Sequence, residues 1–237
     1  VQGNITDLAA PLPIRSIAID NHTAVTFFSE PLSNPVLIPN VHLATSSNLP
    51  IASIESEPPF FRNVRITFAN EMQSDSVYIL TARGIKDCVG NEMPENVAIP
   101  FGIPAIPLKG DIIFNELLFN PRPGKYDFAE LYNRSKRIID MRDMLIGTLS
   151  NTGTIIDPIQ ITASSFYLFP DEYLAITSDA NNLIEEYPLS DPKQVLENKD
   201  LPSMPDDKGA IALSTRSGLI TDAITYDDSW HFPLLNN

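Results

Sequence analysis

Two glutamates, Glu116 and Glu130, flank a Pro-Gly turn in "FNELLFNPRPGKYDFAELYN", Phe114 to Asn133. Paired carboxyl groups of this kind serve glycosidases, one as acid and the other as nucleophile or base. The same residues also read as two strands of a hairpin that catalyses nothing. If Phe114 faces Tyr132 and Leu118 faces Phe128, Glu116 lies opposite Glu130, with Cβ atoms about 5 Å apart. Like charges that close repel by roughly 3 kcal/mol at an effective dielectric of about 20. A register offset, a shared proton, a cation held with Asp127, or a basic neighbour would relieve the repulsion. A glycosidase also needs a sugar-sized cleft, whereas a sandwich face is flat or covered. The structural reading is therefore taken: backbone amides, or Arg134, Lys136 and Arg137, neutralise Glu116 and Glu130.

Other chemistry finds less support. His22, His42 and His231 are remote from one another in sequence, and no H-E-x-x-H or Cys/His cluster is present. G-x-S-x-G, G-x-x-x-x-G-K-[ST] and G-x-G-x-x-G are absent too. Each His reads as a surface or satisfied residue. Cys88, the single cysteine, reads as a small buried hydrophobe rather than a reactive thiol. Trp230 reads as a core or inter-strand anchor; with His231 and Phe232 beside it, sugar stacking is the alternative. The acidic loops "PDDKG" and "YDDSW" lack the D-x-[DN]-x-[DN]-G pattern, so they read as solvated turns, with a structural calcium as the weaker alternative. No catalytic, cofactor-binding or metal-ligating residue is assigned, and the chain is not read as an enzyme. Sequons occur at Asn4, Asn21 and Asn133; the short motif arises often by chance, and in a bacterial chain it would mean nothing.

The 237 residues suffice for one or two cores, and 43% of them are apolar, an ordinary globular share. Net charge is -14. Five Lys/Arg face ten Asp/Glu up to Pro107, and eleven face twenty beyond it, so neither half is basic. Phosphate backbones and anionic lipids demand cations, which argues against nucleic acid and membrane surfaces as partners. A single cysteine excludes an internal disulfide. No stretch reaches the length of a membrane span. The start "VQGNITD" has neither Met nor a leader pattern, which suggests a piece of a larger protein with further domains.

These residues must be positioned by strands. Short runs rich in Val, Ile, Thr and Phe recur between Pro, Asn, Asp and Ser. In the first half strands are expected near Arg15–Asp20, Thr23–Ser29, Val36–Leu43, Ile51–Ile54, Val64–Ala69, Ser76–Gly84 and Val97–Phe101. Seven short strands without a helix fit an immunoglobulin-like sandwich. "GIPAIPLKG" reads as a stiff connector, its prolines locked in φ and unable to donate ladder hydrogen bonds. Beyond it, strands are expected near Asp111–Phe119, Asp127–Asn133, Ile138–Asp140, Met144–Ser150, Thr154–Ile161, Tyr173–Thr177, Ala210–Ser214 and Leu219–Tyr226. "STRSG" reads as a tight hairpin with Gly218 at positive φ. "SDANNLIEEYP" offers the one helix, capped by Ser178 or Asp179 and ended by Pro188. The fold class expected is all-β: two Ig-like β-sandwich domains in tandem, with one short helix in the second.

Two sets of residues resemble known families. Phe28-Ser29-Glu30-Pro31-Leu32 and Ile85-Lys86-Asp87-Cys88-Val89-Gly90-Asn91 resemble motifs of the bacterial Ig-like domain of the S-layer (SbsA) type, over roughly 11–103. "IIFNELLFNPRPGKYDFAELYN", "LFPDEYLAITSD" and "KGAIALSTRSGLITDAITYDDSWH" resemble, in order, the segments of a lamin-tail domain over 110–232. The organisation expected is a linker at 1–10, an SbsA-type domain at 11–104, a Pro-rich linker at 105–109, and a lamin-tail-like sandwich at 110–237. Bacterial lamin-tail domains continue past the Trp with a further strand, so this one is expected to be cut short. The pairing resembles Bacteroidetes exported or cell-surface proteins. It implies a non-catalytic spacer, scaffold or adhesion module outside the cell, with a protein or a surface glycan as partner. Accessory domains of an exported nuclease or phosphatase are one alternative, and a glycan-binding module is the other.

Overall fold

The computed structural model describes residues 7–33, 44–45 (backbone only), 49–93, 96–188 and 190–230. The chain forms two compact units, Val1–Pro104 and Ala105–Asn237. Both are built of strands, and the fold is all-β and Ig-like, with a single α-helix among the described residues.

The first unit contains β1 (Pro13–Ala18), β2 (Thr23–Phe28), β3 (Ala44–Thr45), β4 (Ile51–Glu57), β5 (Asn63–Phe68), β6 (Tyr78–Ala82) and β7 (Val97–Phe101). They form one sheet in the order β1-β2-β5-β4 and another in the order β3-β6-β7. This is the strand layout of a constant-type Ig sandwich. Alternation explains the inner faces. Val64, Ile66 and Phe68 of β5 are buried, as are Tyr78, Leu80 and Ala82 of β6. Phe101 stacks on Phe68 at 5.4 Å and meets Tyr78 at 5.5 Å. Thr26 is buried, and its hydroxyl donates to Ser16 across the β1–β2 pair. The strand expected near Val36–Leu43 lies outside the described residues.

The second unit contains β8 (Ile112–Leu118), β9 (Phe128–Asn133), β10 (Ile139–Asp140), β11 (Met144–Leu149), β12 (Ile155–Gln160), β13 (Tyr167–Leu168), β14 (Tyr173–Thr177), α1 (Ala180–Glu186), β15 (Val195–Glu197), β16 (Lys208–Thr215) and β17 (Ile220–Asp227). Two four-stranded sheets, β12-β11-β16-β17 and β15-β14-β9-β8, enclose a core that includes Leu131, Met144, Ile146, Leu174, Ile176 and Leu213. Asp222 of β17 accepts a hydrogen bond from the Phe114 N–H of β8 at 2.8 Å, tying the edge of one sheet to the edge of the other. Gly218 takes φ +86° in the β16–β17 turn.

In the second unit two short strands escape the sequence reading, β13 and β15. Strand β15 pairs parallel with β14, and α1 supplies the crossover that parallel pairing requires. Asp179 caps α1, accepting from the Asn182 N–H at 2.9 Å, and Leu183 is its buried residue. Residues 105–109 are bonded into the second unit. The Ala105 N–H donates to Ile138 O at 2.8 Å and the Leu108 N–H to Asp111 at 2.7 Å.

Candidate functional site: a carboxylate-lined groove

Glu116 does lie opposite Glu130, through a route the alternation pattern hides. A β-bulge between Phe114 and Glu116 shifts the register: Phe114 pairs with Leu131, and Leu118 with Phe128. The expected pairing of Phe114 with Tyr132 is thus wrong. That register would turn Phe114 outward; the extra residue, Asn115, lets Phe114 stay in the core while Glu116 points out. The bulge also aims Asn115, whose amide donates to Glu130 Oε1 at 2.7 Å.

The expected cations go elsewhere. Arg134 donates to Gly110 O, Lys136 pairs with Asp171, and Arg137 pairs with Asp111. Each follows the turn after β9, which leads away from the middle of the strand where Glu130 sits. Asp127 accepts from the Met204 N–H at 3.3 Å and does not line the groove. Among the described residues, no hydrogen bond or ion pair reaches the Glu116 carboxylate.

The two glutamates belong to a row that crosses the whole sheet. Glu116 pairs with Glu130, Glu130 with Ala175, and Ala175 with Val195. Ala175 is the small residue of the row, and the surface dips over it. Here lies a groove of about 420 Å³. Phe128 and Tyr173 flank the row on the sheet. The crossover around α1 adds Leu183, Tyr187, Ser190, Asp191 and Gln194. The expectation of a flat or covered face fails at this point, because α1 and the turn after it build a wall beside the strands.

The rings of the wall are held. Tyr173 stacks on Tyr132 at 4.7 Å, and Tyr187 meets Phe128 edge-on at 5.9 Å. The Tyr132 hydroxyl donates to Asp171 at 2.9 Å. That bond raises the Tyr132 pKa and, with Lys136, lowers that of Asp171. Burial raises the Tyr187 pKa, and the charges of Glu186 and Glu116 add to it, while Arg122 opposes them. Lys125, in the β8–β9 connection, is paired with Glu186 at 3.5 Å. Among the described residues, no Lys, Arg or His lines the groove.

Other sequence candidates fall outside it. Cys88 is exposed, not buried, because Asp87 takes the inward position of the turn. The Asp87 carboxylate accepts from the N–H groups of Val89, Gly90 and Asn91 and from the Asn91 amide. Trp230 is 55% exposed and leans edge-on against Phe119 at 6.5 Å. His22 meets Phe68 O at 3.4 Å and Glu71 at 3.6 Å. His42, His231 and Asn4 lie outside the described residues. Asn21 is exposed, whereas Asn133 is fully buried with both amide protons engaged by Arg137 O and Leu168 O.

The acidic loops "PDDKG" and "YDDSW" do meet: the Asp228 N–H donates to Asp207 O at 2.7 Å. Among the described residues, the group of carboxylates close enough to share an ion is a different one. Oxygens of Asp7, Glu30 and Asp87 lie within 4.8 Å of one another. Asp87 is already bound by four donors there, and Asp7 Oδ1 accepts from the Ala9 N–H at 3.0 Å.

No protein-family model matches the chain, and no curated protein does. Solved structures similar to it include the N-terminal part of the bacterial S-layer protein SbsC, at 12% identity and TM-score 0.36, over 92% of this chain and 44% of that one. The chain therefore spans less than half of that SbsC fragment. The D00-D0 domain of intimin is similar at 13% identity and TM-score 0.26, over 88% of this chain and 94% of its own. L,D-transpeptidase 3 from Mycobacterium tuberculosis is similar at 14% identity and TM-score 0.26, over 92% and 98%. At identities and scores this low, none of these likenesses bears on what this chain does.

Proposed function

We propose that this chain is a non-catalytic spacer and adhesion module of an exported or cell-surface bacterial protein, whose second unit holds the partner in the groove over β8, β9 and β14. In this reading residues 11–104 are an SbsA-type Ig-like domain and 110–237 a lamin-tail-like domain. The observation that carries it is the row Glu116–Glu130–Ala175–Val195, which opens into a groove walled by held aromatic rings. Concave sites with a few polar groups on apolar walls are where ligands bind. The volume fits one or two side chains of a partner, or one sugar residue. The lamin-tail signature gains a physical meaning here: its Asn-Glu supplies the bulge and the first carboxylate, and its Asp-Phe-x-Glu-Leu-x-Asn supplies Phe128, Glu130 and the buried Asn133.

The test is binding of the purified chain to a broad peptide array and a broad glycan array, with A175F filling the groove. Retention on one array that A175F abolishes, with the melting temperature kept, is the expected result. Equal retention by A175F, or no retention on either array, would overturn the reading.

A further inference from the structure

The groove has a chemical bias that narrows its occupant. Among the described residues three carboxylates line it, Glu116, Glu130 and Asp191, against no cationic side chain. Three rings line it as well, Phe128, Tyr173 and Tyr187. Carboxylates beside aromatic faces suit an organic cation, which gains Coulomb attraction from the first and cation–π attraction from the second. A metal ion fits less well. It needs ligand oxygens gathered around one point, and among the described residues the carboxylates gathered that way are Asp7, Glu30 and Asp87, not these. A neutral sugar would leave Glu116 with its charge uncompensated beside Glu130.

We infer that the groove takes a lysine or arginine side chain presented by an extended segment of a protein partner. This rests on the groove being the partner face. The ammonium or guanidinium sits at the Glu116–Glu130 pair, and its alkyl stem runs over Ala175 along Tyr173 and Tyr187. Binding then relieves the like-charge pair, which no Lys, Arg or His among the described residues contacts in the free chain. The net charge of -14 steers a basic segment toward the protein but does not place it. The groove does, through the Glu116–Glu130 pair.

The experiment is a calorimetric titration of the full chain with a short oligolysine peptide, and in parallel with spermine and with calcium chloride. E116Q/E130Q is the groove variant, and E55Q/E71Q, in the first unit, is the charge control. Oligolysine is expected to bind, to bind about tenfold more weakly in E116Q/E130Q, and to bind E55Q/E71Q as it binds the unaltered chain. Tyr173→Leu is expected to weaken it severalfold. Equal weakening in both double variants would overturn the inference, since bulk charge alone would explain it. Calcium or spermine displacing oligolysine at lower concentration would overturn it in favour of a free cation. If oligolysine fails while the array ligand is still lost in A175F, the cationic assignment falls and the groove reading stands.

Discussion

Glu116 and Glu130 face each other directly across the β8–β9 pair, and the only hydrogen-bond donor reaching either carboxylate among the described residues is the Asn115 amide, at 2.7 Å from Glu130 Oε1. The bulge that sets up the repulsion also partly answers it. The pair is a local liability that the fold tolerates, and a site that tolerates uncompensated charge is one where a ligand can supply the compensation.

Removing one charge of the pair should therefore stabilise the free protein. E116Q is expected to gain about 0.2–1 kcal/mol, the range for cross-strand pairs. The gain should shrink as salt rises, because salt already screens the repulsion. Urea unfolding of both proteins at low and high ionic strength checks this. A loss of stability in E116Q would mean that an unseen partner binds Glu116 in the free chain.

Asn133 is the opposite kind of residue, an interior polar group with every bond made. Its amide donates to Arg137 O and Leu168 O, and its carbonyl accepts from the Ser135 N–H and hydroxyl. It ties the end of β9 to the following turn and to β13. N133A removes the amide donors to Arg137 O and Leu168 O and the acceptor of the Ser135 N–H, and is expected to lose about 3 kcal/mol or more. N133D, which turns a carboxylate toward those carbonyls, should lose more still. Thermal unfolding ranks the two.

Tyr226 packs against Gly209 and Phe119. A Cβ at Gly209 would meet the Tyr226 hydroxyl oxygen at 2.2 Å and Cζ at 2.5 Å, and the Tyr226 ring is itself held 4.4 Å from the Phe119 ring, centroid to centroid. G209A is thus expected to lose about 1–3 kcal/mol by overpacking. The hydroxyl is buried with no hydrogen-bond partner among the described residues, so Y226F should be neutral or stabilising. Y226F should also soften G209A by removing the nearest clash. Burial, with the charges of Asp127, Asp207 and Asp206, pushes the Tyr226 pKa up to about 12. A raised phenol pKa favours the folded state below the unfolded value and loses that advantage as pH rises through the folded one. Between pH about 10 and about 12 the unaltered protein should lose stability that Y226F keeps. Alkaline melts of the two decide it.

Asp87 and Glu30 titrate in opposite senses at one place. Burial works against the Asp87 charge, but the hydrogen bonds from Asn91, Gly90 and Val89 outweigh it and lower the pKa. Its stabilising effect is present above the ordinary Asp value of about 3.9 and is lost as pH falls through the lower folded value. D87A should flatten that acid limb and lower the melting temperature at neutral pH. The Glu30 pKa is raised by burial and by the charges of Asp7 and Asp87, so its contribution is present at acid pH and lost as pH rises. E30Q should raise the melting temperature at neutral pH. Melts from pH about 2 to 7 separate the two signs.

Most strands could be read from alternation and turn residues, because period-two burial is a local property. Tyr173–Thr177 and Val97–Phe101 fall where the pattern puts them. The misses have physical causes. β13 and β15 are two and three residues long, too short to show a period, and both exist only through pairing with distant partners. The register of β8 could not be read because a bulge leaves no mark in composition; Phe114 has to be seen in the core. Cys88 went to the surface because its neighbour Asp87 had more bonds to make inside. Half of the site was legible, since Glu116 and Glu130 stand out as a pair. Ala175, Tyr187 and Asp191 were not, because what joins them to the glutamates is the parallel crossover through α1.

The central claim is that the groove over Ala175 holds a cationic segment of a partner. Hydrogen exchange of the full chain with and without saturating oligolysine tests it most directly. Slowed exchange confined to 116–118, 128–130, Tyr173–Thr177 and 183–197 is the expected result. Slowing spread over the acidic surface, or centred in the first unit, would contradict it.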